Sequence, residues 1–128
     1  MWREFLIVGI GSFFGGGARY IVSQIFESAT SSSFPFGTFV VNMIGCFLIG
    51  FFSGFHYEGG WMTPQTKLIL TTGFCGGFTT FSTFIKEGTA LASSHDFIFL
   101  CLYLFGSLAV GLIAVVAGHL ACAMVRGN

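Results

Sequence analysis

Uncharged polar side chains recur at helical spacing within the apolar stretches of this 128-residue chain. Thr38 and Asn42 are four residues apart, as are Tyr103 and Ser107, so each pair lies on one face of a helix. Hydroxyl and amide groups donate hydrogen bonds without carrying a formal charge. Such donors can replace the water around a small, strongly hydrated anion and still let the ion leave. The spacing therefore indicates an uncharged path for an anion.

The segment Gly76–Phe84 brings two aromatic rings to this path. Phe81 and Phe84 are three residues apart, so they share a helix face, with Ser82 and Thr83 beside them. The edge of a phenylalanine ring carries the positive part of the ring quadrupole, so an anion prefers the edge and a cation the face. Packing alone is the alternative, because aromatic residues at helical spacing usually form a core and Ser or Thr often bonds its own backbone.

The acidic residues lie at the ends of the apolar stretches or between them, at Glu4, Glu27, Glu58, Glu87 and Asp96. Carboxylates in these places cannot act as a general acid or base at membrane depth, nor exchange protons for a substrate there. The chain also has no phosphate-cradling GxxxxGK[ST] loop. We therefore expect that the protein is not an enzyme.

The elements that must position these side chains are membrane-spanning helices. Hydrophobic residues make up 54% of the chain and charged residues 8%, and the mean hydropathy is +0.86. Five cations balance five anions, which excludes a basic nucleic-acid binder.

Four windows approach the roughly 20 apolar residues that a span needs: about Phe5–Phe26, Gly37–Phe55, Leu68–Ile85 and Phe97–Val125. The connections are Glu27–Phe36, His56–Lys67 and Lys86–Asp96. We expect an all-α integral membrane protein, a single domain over residues 1–128.

The third window is poor helix material, since three glycines and several threonines lie in its middle. We expect a break near Gly76–Thr80. Backbone freed at membrane depth must be buried in protein or line a cavity, and its carbonyls can hold a cation. If a dimer axis passes through the break, a buried monovalent cation between the two copies follows as a hypothesis. A kink whose carbonyls are capped by threonine hydroxyls is the alternative.

The positive charges give only a weak signal for orientation. With an even number of spans both termini lie on one side, which carries Arg3, Lys67 and Arg126, whereas the other side carries Lys86 and Arg19. Three against two is a small bias under the rule that orients membrane proteins by Lys and Arg. We expect insertion in both orientations and an antiparallel homodimer. The alternative is that the extra cation fixes a single orientation.

Small residues indicate where helices meet. Gly11 and Gly15 are four residues apart, a spacing that lets helix backbones approach closely in lipid. Arg19 continues the same row, so its side chain points into protein or extends to the near interface. An arginine within a span needs a partner. We interpret Arg19 as a structural anchor, and direct anion binding is the alternative.

Three motifs together resemble the Fluc (CrcB) fluoride channels, over the whole length of the chain. They read Gly11-x3-Gly15-x3-Arg19-Tyr20, Gly37-Thr38-Phe39-x-Val41-Asn42-x2-Gly45, and Gly76-Gly77-Phe78-Thr79-Thr80-Phe81-Ser82-Thr83-Phe84. The third motif is highly specific, whereas the glycine row alone is weak. The resemblance implies an antiparallel, dual-topology homodimer in the inner (plasma) membrane. Such a dimer has two pores and exports fluoride passively from the cytoplasm.

The resemblance also implies roles for individual residues. Phe81 and Phe84 look like the two pore phenylalanines, and Asn42 looks like the asparagine at the pore mouth, with Ser82 and Thr83 as neighbouring donors. In a separate site, Gly76 and Thr79 sit where the family offers carbonyls to a structural sodium ion at the dimer interface.

On the fourth helix, Tyr103 and Ser107 resemble part of a polar track. Gly111 stands one turn further on, where a hydroxyl residue is often found. Glu87 resembles a vestibule carboxylate, with a solvated loop charge as the alternative, and Arg19 matches an arginine of the first helix.

Two other functions remain as alternatives. A small multidrug-type exporter shares the size and the four spans, but it needs a carboxylate buried in the first span, and Glu4 precedes that span. A non-transporting membrane structural subunit accounts for the glycine row and needs no polar path. Mutagenesis of Asn42 or Phe81 separates this subunit from a channel, because only a channel loses flux while keeping its fold.

Overall fold

The computed structural model describes residues 1–57 and 60–127, in which every regular element is helical. Glu58 and Gly59, in one of the predicted loops, lie outside the described residues, as does Asn128. In chain order the elements are α1 (Trp2–Ser28), α2 (Phe36–Ser53), α3 (Pro64–Leu68), a π-helix (Ile69–Cys75), α4 (Gly76–Phe78), α5 (Ser82–Ser93) and α6 (Phe97–Arg126). Within the described ranges, four stretches are long and apolar enough to cross a membrane, as the four expected spans require.

The end of α1 contacts the start of α2. Glu27 Oε1 accepts a hydrogen bond from the Gly37 backbone N–H at 3.2 Å, and this amide is one that the first turn of a helix leaves without a partner. Gly37 is buried against α1, because a Cβ there would come 2.6 Å from the Ser23 carbonyl oxygen. The connection between the first two spans is therefore held by α1 itself.

The third span, Pro64–Ser93, is interrupted. Thr79 is extended, with φ −86° and ψ 162°, and the helix resumes at Ser82. The predicted break is therefore displaced: Gly76 lies within α4, and the non-helical residues are 79–81. Before the break the chain forms a π-helix, which was not expected from the sequence.

The predicted connection Lys86–Asp96 is wrong over most of its length, because α5 continues to Ser93. The buried residues Phe84, Gly88 and Leu91 show why, since their spacing keeps one face of α5 inside the protein. Only residues 94–96 link α5 to α6.

Glycines allow two pairs of helices to touch through their backbones. Between α2 and α6, a Cβ on Gly50 would clash with the Val115 carbonyl, and a Cβ on Gly118 would come 2.7 Å from the Phe51 nitrogen. On the other side of the molecule, a Cβ on Gly15 would come 2.9 Å from the Phe78 nitrogen.

Gly11 makes the same kind of contact one turn earlier, where a Cβ would come 2.8 Å from the Phe74 nitrogen. The Gly11 and Gly15 row therefore brings α1 against the π-helix and α4.

Much of the remaining surface is apolar and exposed. In the most apolar window of α1 and in that of α6, 11% of the residues are buried within the chain. Inside, Phe84, Leu91 and Tyr103 form a small core on which Phe34 packs. Such a surface suits a protein surrounded by lipid or by another chain.

Candidate functional site

The break in the third span is closed by a side chain of the second. Asn42 Nδ2 donates to the Thr80 carbonyl at 3.0 Å, and Asn42 Oδ1 accepts from the Thr80 N–H at 2.9 Å. This pair of bonds replaces the helical bonds that Thr80 loses at the break. The Asn42 amide keeps a second N–H that can donate to a ligand.

Two carbonyls at the break lose their helical donors. In an unbroken helix the Thr80 N–H would bond the Gly76 carbonyl and the Thr83 N–H would bond the Thr79 carbonyl. Instead, the Thr80 N–H donates to Asn42 and the Thr83 N–H donates to Thr80 Oγ1 at 3.2 Å. The carbonyls of Gly76 and Thr79 are thereby freed.

A threonine hydroxyl does cap a carbonyl here, as the kink interpretation supposed. Thr79 Oγ1 donates to the Cys75 carbonyl at 2.9 Å, and that oxygen also accepts the Thr79 N–H at 3.0 Å. The capped oxygen belongs to Cys75 and leaves the Gly76 and Thr79 carbonyls unaffected.

An open cavity of about 400 Å³ lies against the break. It is lined by Asn42, Met43, Gly45, Cys46, Ile49, Cys75, Gly76, Thr79, Thr80, Phe81, Phe84, Ser107 and Leu108. Six predicted site residues are thus brought together by three different spans. The lining carries hydroxyl, amide and backbone groups and no formally charged side chain.

The two phenylalanines lie side by side but in different surroundings. Their ring centroids are 5.9 Å apart, with the planes at 44°. Phe84 is buried and Phe81 is 73% exposed in the single chain, because Phe81 precedes the first turn of α5. The Phe84 ring also packs on Tyr103, with centroids 4.9 Å apart. Phe84 is therefore fixed by its own chain, whereas Phe81 is held on one side only.

A second, smaller cavity of about 210 Å³ is lined by Glu87 together with Glu27 and Ser33, and Tyr103 contacts Glu87. The buried Tyr103 hydroxyl donates to Glu87 Oε1 at 3.0 Å. Tyr103 thus touches a lining residue of each cavity, Phe84 in the first and Glu87 in the second. Its single hydroxyl proton is used by the carboxylate.

Unlike the Tyr103 hydroxyl, the Ser107 hydroxyl is not engaged by any described residue. Its hydroxyl oxygen is buried and has no hydrogen-bond partner among the residues that the structure describes. One turn further, a Cβ on Gly111 would meet Cys46 Sγ at 3.5 Å and Met43 Cε at 3.7 Å. The polar groups along this face of α6 therefore end at Ser107, and sulfur atoms of α2 face Gly111.

The other predicted site residues lie outside the cavity lining. Thr38 is buried in α2, Ser82 is exposed, and Thr83 is half-buried in the first turn of α5. Arg19 lies on the α1 side, where Nε donates to the Gly77 carbonyl at 3.2 Å. Thr80 was not among the predicted site residues, although a threonine placed to cap the Thr83 N–H in the first turn of a helix is a recognisable signal.

The carbonyl oxygens at the break are ligands that suit a hard monovalent cation. Among residues 1–57 and 60–127, no group of three or more His, Cys, Asp or Glu side chains could hold a metal. The freed oxygens of Gly76 and Thr79 are main-chain carbonyls at a discontinuous helix, and groups of this kind hold sodium in membrane proteins. The residues present therefore fit the ion that the resemblance implies.

A discontinuous third span, with a cavity of uncharged donors beside it, defines a multi-pass membrane protein whose irregular backbone lines a cavity. Comparison with known proteins narrows this class. Residues 6–119 match the family model described as CrcB-like protein, Camphor Resistance (CrcB). The chain belongs to this CrcB-like family, as its three motifs predicted.

Several curated relatives are similar over nearly their whole length, and each is named fluoride-specific ion channel FluC. The relative from Chlorobium chlorochromatii is 43% identical over 122 residues, which are 95% of this chain and 94% of the relative. The relative from Chlorobium luteolum is 47% identical over 116 residues, 91% and 89% of the two chains. That of Azobacteroides pseudotrichonymphae is 38% identical over 120 residues, 94% and 96%. Because ion channels are not enzymes, these relatives confirm the expectation that the protein is not an enzyme.

Proposed function

We propose that this protein is a passive, fluoride-selective ion channel that exports cytoplasmic fluoride across the inner (plasma) membrane. The observation that carries the proposal is the cavity at the broken third span, whose polar lining is entirely uncharged. The names of the relatives supply the ion, since each is called a fluoride-specific channel. A path without fixed charge lets a small anion bind and leave, which suits passive conduction.

The break supports anion binding in a second way. α5 begins at Ser82, and the amides of a helix N-terminus carry partial positive charge. The carbonyls at the end of α4 carry partial negative charge. One interruption therefore offers an anion-favouring end and a cation-favouring end within a few residues of each other.

In the proposed path, fluoride loses water at Asn42, whose amide has one N–H besides the one that donates to the Thr80 carbonyl. It then passes the ring edges of Phe81 and Phe84. On α6 the path uses the hydroxyl of Ser107, which lines the cavity and has no hydrogen-bond partner among the described residues. The hydroxyls of Ser82, Thr83, Thr38 and Tyr103 assist along the way. The Tyr103 hydroxyl can do so only when it no longer donates its hydrogen bond to Glu87.

The pores form in an antiparallel homodimer of dual-topology chains, with two pores per dimer. Phe81, Gly76 and Ser82 are exposed in the single chain although they lie in a membrane span. Irregular backbone cannot face lipid, because its polar groups would have no partners there. A second copy of the chain over this face completes the walls of the cavity. The nearly balanced positive charges allow that copy to insert in the opposite orientation.

A structural sodium ion is part of the proposed dimer, held at the interface by the carbonyls of Gly76 and Thr79. When bound, the ion neutralises the partial negative charge of these oxygens and holds the two breaks together. Dialysis into a sodium-free buffer with N-methylglucamine is expected to abolish fluoride flux, and returning sodium restores it. Full flux in the strict absence of sodium would refute the structural ion.

The direct test is fluoride efflux from liposomes that contain the purified protein, read with a fluoride-selective electrode. Chloride-loaded liposomes with a chloride electrode serve as the parallel measurement. Rapid fluoride release without chloride release supports the selective channel, whereas release of both ions refutes selectivity. If neither ion leaves liposomes that contain folded dimers, the channel proposal fails and a structural subunit becomes the better description.

A further inference from the structure

α1 attaches to the third span at two points. Ser12 Oγ donates to the Gly73 carbonyl at 3.2 Å, and Arg19 Nε donates to the Gly77 carbonyl, also at 3.2 Å. Ser12 and Arg19 are seven residues apart, which places them on one face of α1. The two carbonyls are four residues apart, one within the π-helix and one within α4.

The Gly77 carbonyl needs this donor because of the break. In an unbroken helix it would accept from the Phe81 N–H, but the extended Thr79 intervenes and ends that ladder. The Arg19 guanidinium takes the place of the missing amide. Its positive charge also lies at the end of a helical segment, where unpaired carbonyls concentrate negative charge.

Close backbone contact holds the acceptor of this bond against α1. A Cβ on Gly77 would come 2.7 Å from the Ser12 carbonyl oxygen, so α1 and α4 are in direct contact beside the bond. On the other side of the break, Asn42 of α2 binds both backbone groups of Thr80. Thr79 lies between these two attachments along the chain and Gly76 directly precedes the first, and both residues line the main cavity.

We propose that Arg19 is a positioning residue. By holding the Gly77 carbonyl, it fixes the peptide groups around the break, and so the direction of the Gly76 and Thr79 carbonyls. Ser12 gives the same support one turn earlier. This inference rests on the proposed cation site for its effect on sodium, but the carbonyl contact itself can be tested without sodium.

A different role for Arg19 would act in the opposite direction. If the guanidinium influenced the site only through its charge, it would repel a cation, and its removal would tighten sodium binding. A positioning role predicts weaker sodium binding when Arg19 is replaced. The sign of the change therefore separates the two.

The contact can be read from carbonyl resonances. Labelling with 1-¹³C-glycine and ¹⁵N-phenylalanine selects the four Gly-Phe peptides, at Gly50, Gly54, Gly73 and Gly77. In Arg19→Met the Gly77 carbonyl signal is expected to move upfield, while those of Gly50 and Gly54 stay in place. In Ser12→Ala the Gly73 signal is expected to move. An unchanged Gly77 signal in a folded Arg19→Met dimer would overturn the proposal.

The functional consequence is read from thermal unfolding of purified dimers at increasing sodium. Arg19→Met is expected to raise the sodium concentration for half the stabilisation by about tenfold, the scale of one charge-assisted hydrogen bond. Arg19→Lys keeps a charge and a donor and should fall between, and Arg3→Met controls for the loss of a cation from α1. An unchanged or lower midpoint in Arg19→Met would contradict the proposal. If the wild-type protein shows no stabilisation by sodium, the cation site fails, and the Gly77 resonance still decides the role of Arg19.

Discussion

The side chain of Asn42 and the backbone of Thr80 form a reciprocal pair of hydrogen bonds, at 3.0 and 2.9 Å, across the gap in the third span. One amide group thereby serves as the donor and the acceptor that a continuing helix would have supplied. These bonds and the contacts from α1 hold the break in place. It is therefore a fixed part of the fold, and its position determines which groups face the cavity.

Replacing Asn42 tests this pairing. Asn42→Ala leaves the Thr80 N–H and carbonyl without partners, and each lost bond costs about 1–3 kcal/mol when the remaining group stays buried. We expect a lower thermal midpoint of the purified dimer and a loss of fluoride flux. Asn42→Asp keeps the acceptor for the Thr80 N–H and should recover part of the stability, but its charge should still block the anion. An Asn42→Ala dimer with wild-type stability would show that the pair is dispensable.

Replacing Phe81 or Phe84 should reduce fluoride flux in both cases but should lower stability in only one. Phe81→Ile and Phe84→Ile both remove a polarised ring edge while keeping bulk, so each should reduce fluoride flux at least about tenfold, or 1.4 kcal/mol of barrier. Only Phe84→Ile should also lower stability of the single chain, because its ring packs on Tyr103 and is buried. Phe105→Ile, on the exposed face of α6, is the matched control. Unchanged flux in both pore variants would refute the role of the ring edges.

The glycines of α6 offer a matched pair for packing. Gly118→Ala pushes a methyl group into the backbone of α2, 2.7 Å from the Phe51 nitrogen, and overpacking of this kind costs about 1–3 kcal/mol or more. Gly111→Ala meets only Cys46 Sγ and Met43 Cε at ordinary contact distances and should be tolerated. Thermal unfolding in detergent measures both. Equal stability of the two variants would mean that α2 and α6 are not in backbone contact.

Tyr103 and Glu87 should be coupled, since the tyrosine hydroxyl donates to the carboxylate. A double-mutant cycle with Tyr103→Phe, Glu87→Gln and the combined variant is expected to give a coupling of about 1–2 kcal/mol in unfolding free energy. Tyr103 and Ser107 form the uncoupled comparison, because the Ser107 hydroxyl has no partner in the described part of the chain. Additive effects of Tyr103→Phe and Glu87→Gln would show that the bond contributes nothing.

Sequence patterns predicted the spans better than they predicted the break. The ends of the first, second and fourth spans lie within three residues of the expected windows, because long apolar runs leave little choice. The third span was expected to break near Gly76–Thr80, because its glycines and threonines are poor helix formers. In the fold Gly77 serves close packing on Ser12, and the interruption falls on the threonines that follow.

In the candidate site, too, relations between neighbouring residues could be predicted and contacts with distant segments could not. The spacing of three residues predicted that Phe81 lies near Phe84, and the two rings are neighbours because Phe81 directly precedes α5. The partners of Asn42 and Arg19 could not be predicted, since both side chains bond backbone groups of a distant segment. The π-helix was also missed, and it is the segment on which Gly11 of α1 packs.

The difference in length between α2 and its neighbours has a consequence for the membrane itself. With a rise of 1.5 Å per residue, the 18 residues of α2 extend about 27 Å, whereas the 30 residues of α6 extend about 45 Å. The backbone contact at Gly50 and Gly118 fixes the position of α6 along α2, so the extra length of α6 extends beyond the ends of α2. The hydrocarbon thickness that the protein matches is therefore set by α2, slightly below the ~30 Å of an average bilayer. Thicker membranes would have to thin locally around this helix.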